Sequence, residues 1–185
     1  HALVAALTPE ADPLHKVTII PRGRSLGLTL SLPMEDKYSH TKEYLDATIT
    51  VAMGGRIAEE LFLGHMTTGA GNDIEKATAL ARRMVCEWGM SDLGPLTFGN
   101  VEGEIFLGRD FGRTQDYSEG TANDIDSEVK KIVTRAYEQA KKLIGDNTGV
   151  MHRLARTLLE KEVLDGEQVL QIIADETGTD IAKLR

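Results

Sequence analysis

Apolar residues at helical spacing open the chain: Ala2, Leu3, Ala5, Ala6 and Leu7. Pro9 ends that run by pushing Thr8 out of helical geometry. The period then falls to two. Val17-Thr18-Ile19-Ile20 reads as a β-branched strand, and Leu26, Leu28, Leu30 and Leu32 alternate with Gly27, Thr29 and Ser31. Pro21-Arg22-Gly23-Arg24-Ser25 between them has turn composition. The pattern predicts a β-hairpin that buries its leucine face and offers its outer edge to water. Met34 to His40 is a polar connection.

From about Thr41 the period returns to that of a helix. Leu45, Ile49, Ala52 or Met53, and Ile57 share one face as far as Leu63, and Gly64 stops the run. After the small-residue loop Met66 to Gly71, Asn72 resembles an N-cap with Glu75 three residues on. Ile74, Ala77, Ala81, Val85 and Trp88 form the face of that helix. Residues 89–117 are glycine-rich and aperiodic, which predicts a long loop with one short strand near Ile105-Phe106-Leu107. The longest helix is predicted over Ser118–Asn147, with Ile125, Val129, Ile132, Ala136, Ala140 and Leu143 as its stripe. A shorter one follows over Val150–Lys161, carrying Met151, Leu154 and Leu158. Asp165-Gly166-Glu167-Gln168 has the form of a capping box for a last helix with Val169, Ile172 and Ile173. Residues 1–175 are expected to form one domain, and 176–185 a polar, frayed tail.

Composition narrows the function classes. A chain of 185 residues can bury roughly 70% of its unfolded surface, so its stability needs no disulfide or structural metal. The formal net charge is −8, with 21 Lys+Arg scattered among 29 Asp+Glu. A nucleic-acid partner would want a basic stripe, and none is present. Cys86 is the only cysteine, which excludes an internal disulfide and favours a reducing compartment. No uncharged run approaches the roughly 20 residues of a transmembrane helix, and nothing at the start reads as a signal peptide. The first residue, His1, already stands at the head of a helical pattern. The upstream half of that helix is therefore expected to have been removed.

Taken singly, no residue declares a catalytic site. His1 is one histidine at a chain end. Asp73 lies in the first turn of a helix, where the macrodipole alone stabilises a carboxylate by ~0.3–1 kcal/mol. Glu59 and Glu60 have the position of solvated helix-end acids. His15, His40, His65 and His152 share no metal-ligand spacing. Cys86 falls about 220° around the helix from Asp73 and reads as a small buried thiol. Ser25, Ser39 and Ser118 have no histidine and acid arranged near them in sequence, so a serine hydrolase has no support.

Several stretches, in order, resemble the peptidase domain of the FtsH family. They include His1-Ala2-Leu3-Val4, Asp12 to Gly23, Gly54-Gly55-Arg56-Ile57-Ala58-Glu59-Glu60 and Thr67-Thr68-Gly69-Ala70-Gly71-Asn72-Asp73. Trp88-Gly89-Met90-Ser91, Leu93-Gly94-Pro95 and Phe106-Leu107-Gly108-Arg109 continue the series. The resemblance runs from residue 1 to about residue 173. It implies a mainly α fold, a helical zinc-peptidase domain with a small β-hairpin or sheet near the active site.

In that family an H-E-x-x-H helix sets two histidines on one face to reach a Zn²⁺, and the glutamate between them serves as general base. By the resemblance, His1 is the second histidine and Asp73 a third zinc ligand from another helix. Glu59 is then an acid near the metal that orients a histidine ring. The first histidine and the glutamate base would lie upstream, so no catalytic base is assigned in this chain. A catalytic zinc keeps three protein ligands and an open position for water. With two of the three present and no base, the fragment is expected to bind zinc weakly and to cleave nothing.

The resemblance further implies protein substrates held as extended polypeptide against the hairpin edge. It implies a parent that is a homo-hexamer, uses ATP and Mg²⁺, and is anchored through N-terminal membrane segments to the cytoplasmic face of a bacterial inner membrane or its organelle equivalent. This sequence holds no G-x-x-x-x-G-K-[ST] loop, so ATP use belongs to that parent. The long Ser118–Asn147 helix is a candidate for subunit contacts. Two other readings stand beside this one: a non-catalytic homologue serving assembly or regulation, and an unrelated helical binding module. The residues upstream of His1 would decide the first, and a long distance between the His1 imidazole and the Asp73 carboxylate would favour the second.

Overall fold

Among the described residues, six α-helices surround one apolar core, and a three-stranded sheet closes one side. The computed structural model describes residues 1–21, 23, 26–33, 39–99 and 117–184. The strand expected at Ile105-Phe106-Leu107, the Phe106–Arg109 stretch and most of the 34–40 connection lie outside them, as do Arg22, Arg24 and Ser25 of the hairpin turn.

Helix α1 spans Ala2–Leu7, with His1 as its N-cap and Thr8 as its extended C-cap. Strands β1 (Leu14–Thr18) and β2 (Leu28–Ser31) form the hairpin. Helix α2 (Lys42–Ala58) starts at Thr41, whose hydroxyl accepts from the Tyr44 backbone N–H. It does not stop at Ala58 but widens into a π turn, Glu59–Leu63, which Gly64 ends in the left-handed conformation at φ 70°. A 3-10 turn, Thr68–Ala70, leads into α3 (Gly71–Cys86). Helices α4 (Glu119–Asp146) and α5 (Thr148–Lys161) follow, then strand β3 (Val163–Asp165) and α6 (Gly166–Thr177).

The predicted helix faces are the ones buried. Leu45, Ile49, Met53 and Ile57 of α2 meet Ile125, Val129, Ile132, Ala136 and Ala140 of α4, with Ala77, Ala81 and Val85 of α3 beside them. Met84, Val150 and Ile144, which the expected stripes omit, are buried too, whereas Leu143 is only partly so. Helix α3 also begins earlier than its sequence suggests. Its N-cap is Ala70 rather than Asn72, because the 3-10 turn supplies the first hydrogen bonds before Asn72 is reached. Trp88 lies past the end of α3.

The sheet differs most from expectation. Its order is β2-β1-β3, both pairings antiparallel, and β3 has no counterpart in the predicted elements. The leucine face of the hairpin is also largely outside: Leu26, Leu28 and Leu32 are 85%, 44% and 46% exposed, and Leu30 is only half-buried. The register explains this. Val17 pairs with Thr29 on one side and with the fully buried Leu164 on the other, so the Thr29 side of β2 faces the core. Past α6, Gly178 takes the left-handed C-cap, and a 3-10 turn at Ile181–Lys183 packs Ile181 and Leu184 on the core. Among the described residues no helix is long and apolar enough to cross a membrane.

Candidate metal centre

Helix α2 provides the floor on which His1 sits. The His1 Nδ1 lies 2.8 Å from the Val51 carbonyl oxygen. A carbonyl only accepts, so Nδ1 is the protonated nitrogen, and the lone pair of a neutral ring is on Nε2. Gly54 and Gly55 make the close approach possible. A Cβ on Gly55 would stand 2.7 Å from Nε2, and one on Gly54 would stand 3.0 Å from the His1 backbone nitrogen.

Asp73 arrives from α3. Its Oδ2 is 3.3 Å from His1 Nε2, and both side chains are 32% exposed. The structure therefore brings together two residues far apart in sequence, in a place that solvent reaches. A nitrogen lone pair and a carboxylate oxygen facing each other need a proton or a cation between them. Their separation is longer than the ~2.7–2.9 Å of a charge-assisted hydrogen bond. It agrees with the roughly 3.3 Å between two atoms each about 2.0 Å from one tetrahedral zinc. The pair fits a shared metal, and no third His, Cys, Asp or Glu joins it among the described residues.

Peptidase family M41 matches residues 1–172. The chain belongs to that family. It is 55% identical over its whole length to an ATP-dependent zinc metalloprotease FtsH of Acidobacterium capsulatum, of which it covers 28%. It is 56% identical over 170 residues, 91% of the chain, to the protein of the same name from Myxococcus xanthus, covering 27% of it. A third such protein, from Pseudothermotoga lettingae, is 52% identical over 98% of the chain and covered to 29%. The chain thus spans less than a third of the curated relatives it matches. Within it lies an M41 zinc-metalloprotease peptidase domain of FtsH type.

Glu59, expected near the metal as an acid that orients a histidine ring, is bonded within this chain to Thr67 and Arg56. The ring in this chain, His1, takes its orientation from the Val51 carbonyl. Glu59 instead accepts from Thr67: the backbone N–H reaches Oε2 at 3.0 Å and the hydroxyl reaches Oε1 at 2.5 Å. Arg56 Nη1 adds a 3.4 Å contact to Oε2. The Thr67 hydroxyl holds the Glu59 carboxyl below the usual glutamate value of 4.5, helped by the Thr67 N–H and by Arg56. Glu60 turns to the other side, where Tyr137 donates to it at 2.5 Å, and that bond raises the phenol's pKa.

Other candidates stay apart from the centre. Cys86 is partly buried, and burial pushes its thiol up, away from nucleophilic character at neutral pH. His40 stacks on Tyr44, His65 bonds to the Leu63 carbonyl, and His152 meets the edge of Phe62. A mostly apolar recess of about 280 Å³ opens beside Gly55, lined by Ala58, Phe62, Met151 and Ala155. Sequence reasoning missed Val51, since a backbone carbonyl leaves no trace in residue identity. It also gave Gly55, Arg56 and Thr67 no role. Two adjacent glycines inside an otherwise strong helix, each costing about 1 kcal/mol in propensity, were the available signal.

Proposed function

We propose that this chain is the peptidase module of a membrane-anchored, ATP-dependent zinc endopeptidase. His1 Nε2 and Asp73 Oδ2 would supply two of three protein ligands, and an upstream H-E-x-x segment the third ligand and the base. The observation that carries this reading is the 3.3 Å convergence of Nε2 and Oδ2, with Nδ1 fixed by Val51. Bound zinc supplies Lewis acidity, lowering the pKa of a water to about 7 and polarising a peptide carbonyl.

The chain's own part is to bind and orient. Val51 keeps the donor nitrogen of His1 pointed outward, and α3 delivers a carboxylate that lowers the charge of the centre. Strand β2 lies at the edge of the sheet, and β1, its neighbour, packs against the helix that His1 begins. An extended substrate pairing with β2 would be read through its backbone, which suits degradation of many membrane and soluble proteins. Hexamer formation, ATP with Mg²⁺ in an upstream module, and residence at the cytoplasmic face of a membrane complete the proposal. A polypeptide of residues 1–185 alone offers only the His1–Asp73 pair among its described residues, and it would hold zinc weakly and cleave nothing.

The test is hydrolysis of an unfolded protein such as casein by the full-length protein. Asp73→Asn is expected to lower cleavage by about 100-fold or more while ATP hydrolysis persists. Wild-type protein that takes up zinc but cleaves nothing would favour a non-catalytic assembly module. Full proteolysis by Asp73→Asn would reject the ligand assignment.

A further inference from the structure

The loop from Gly64 to Ala70 joins the end of α2 to the helix that carries Asp73, yet it is exposed as far as Gly69. Little apolar burial can fix such a loop. Its described bonds to α2 instead converge on Thr67. The Thr67 N–H and hydroxyl both donate to the Glu59 carboxylate, and its carbonyl accepts from Arg56 Nη2 at 3.4 Å. All three polar groups of one residue are thus held by two side chains at the end of one helix, and those two also contact each other at 3.4 Å.

Thr67 then passes the restraint forward. Its hydroxyl oxygen accepts from the Gly69 N–H at 3.0 Å, capping the 3-10 turn Thr68–Ala70, and that turn runs directly into α3. Space at the bracket is tight: a Cβ on Gly69 would stand 3.1 Å from Thr67 Oγ1 and 3.3 Å from Glu59 Oε1. Beyond the turn the chain is helical through Asp73, so moving Thr67 moves Asp73. The π turn begins at Glu59, the residue that accepts both Thr67 bonds.

We infer that Thr67 is a positioning residue for the metal centre, locked by Arg56 and Glu59 so that Asp73 meets His1. This rests on the proposed metal reading and deepens it. Both halves of the pair are thereby referenced to α2: His1 through Val51 and Gly55, Asp73 through Glu59, Arg56 and Thr67.

The experiment measures zinc affinity by chelator competition in the full-length protein, beside the melting temperature of the zinc-free form. Thr67→Val keeps the volume and the N–H but removes the hydroxyl, and it should weaken zinc binding about 10-fold or more. Thr67→Ser should return affinity to near the wild-type value. Glu59→Gln should weaken binding as well, and combining it with Thr67→Val should add little, since both break one bracket. Glu59→Gln also serves alone if Thr67→Val fails to fold. A folded Thr67→Val with wild-type affinity, or with only a lowered zinc-free melting temperature, would overturn the inference. Asp73→Asn separates the two levels. If it loses zinc while Thr67→Val and Glu59→Gln do not, positioning alone fails; if it keeps zinc, the metal reading fails and the bracket's role with it.

Discussion

A hydrogen atom on Gly55 occupies space that a methyl group could not share with His1, since the added carbon would stand 2.7 Å from Nε2 and 3.1 Å from Cε1. Within a helix, alanine is otherwise better than glycine by about 1 kcal/mol. Gly55→Ala therefore sets two effects against each other. The zinc-free protein should lose no stability from helix propensity, while the displaced imidazole should weaken zinc binding about 10-fold or more. Thermal melting with and without chelator, beside a zinc titration, checks both. A variant with unchanged affinity would mean that the helix accommodates the methyl group without displacing the ring, and would reject the steric role of Gly55. At this scale the sequence was informative about identity and silent about contacts. His1 and Asp73 were legible through resemblance alone, because neither a lone histidine nor a first-turn aspartate has local meaning. The partner that orients His1 is a main-chain oxygen, which any residue at position 51 would provide.

Elements with a strong period and a capping signal were the readable ones. Asp165 is the clearest. Its carboxylate accepts from the Gln168 N–H at 2.8 Å, and the Gln168 side chain accepts from the Asp165 N–H at 3.1 Å. Asp165 also ends β3, so one residue closes the sheet and opens α6. Asp165→Ala is expected to cost about 1 kcal/mol, read as a shift in the urea midpoint without a change in slope. The hairpin shows where pattern reasoning fails. Alternation divides Leu26 to Leu32 into two faces but cannot say which one turns inward. That choice belongs to β3, which is separated from the hairpin by most of the chain and too short to announce itself. The π turn at Glu59–Leu63 was hidden for a related reason: one turn of wider helix leaves the apolar period of α2 intact.

Across the molecule, α2 packs against α1, α3 and α4, and Ile49 and Ile57 within it are fully buried. Resistance to local opening follows burial and contact density. Backbone amides of residues 45–57 should therefore exchange with deuterium far more slowly than those of α6 near Thr177, as measured by mass spectrometry of peptic fragments. Comparable rates in the two helices would show that the interior is looser than its packing. The central place of α2 has one more consequence. The same helix that anchors the interior also holds His1 from below and the Thr67 bracket from its end, so both halves of the pair take their reference from it. Loss of the α2 packing would therefore separate the pair even where the loop bonds survive. Melting of α2 would then carry metal escape with it, and heating the loaded protein should release its ion no later than its tertiary structure.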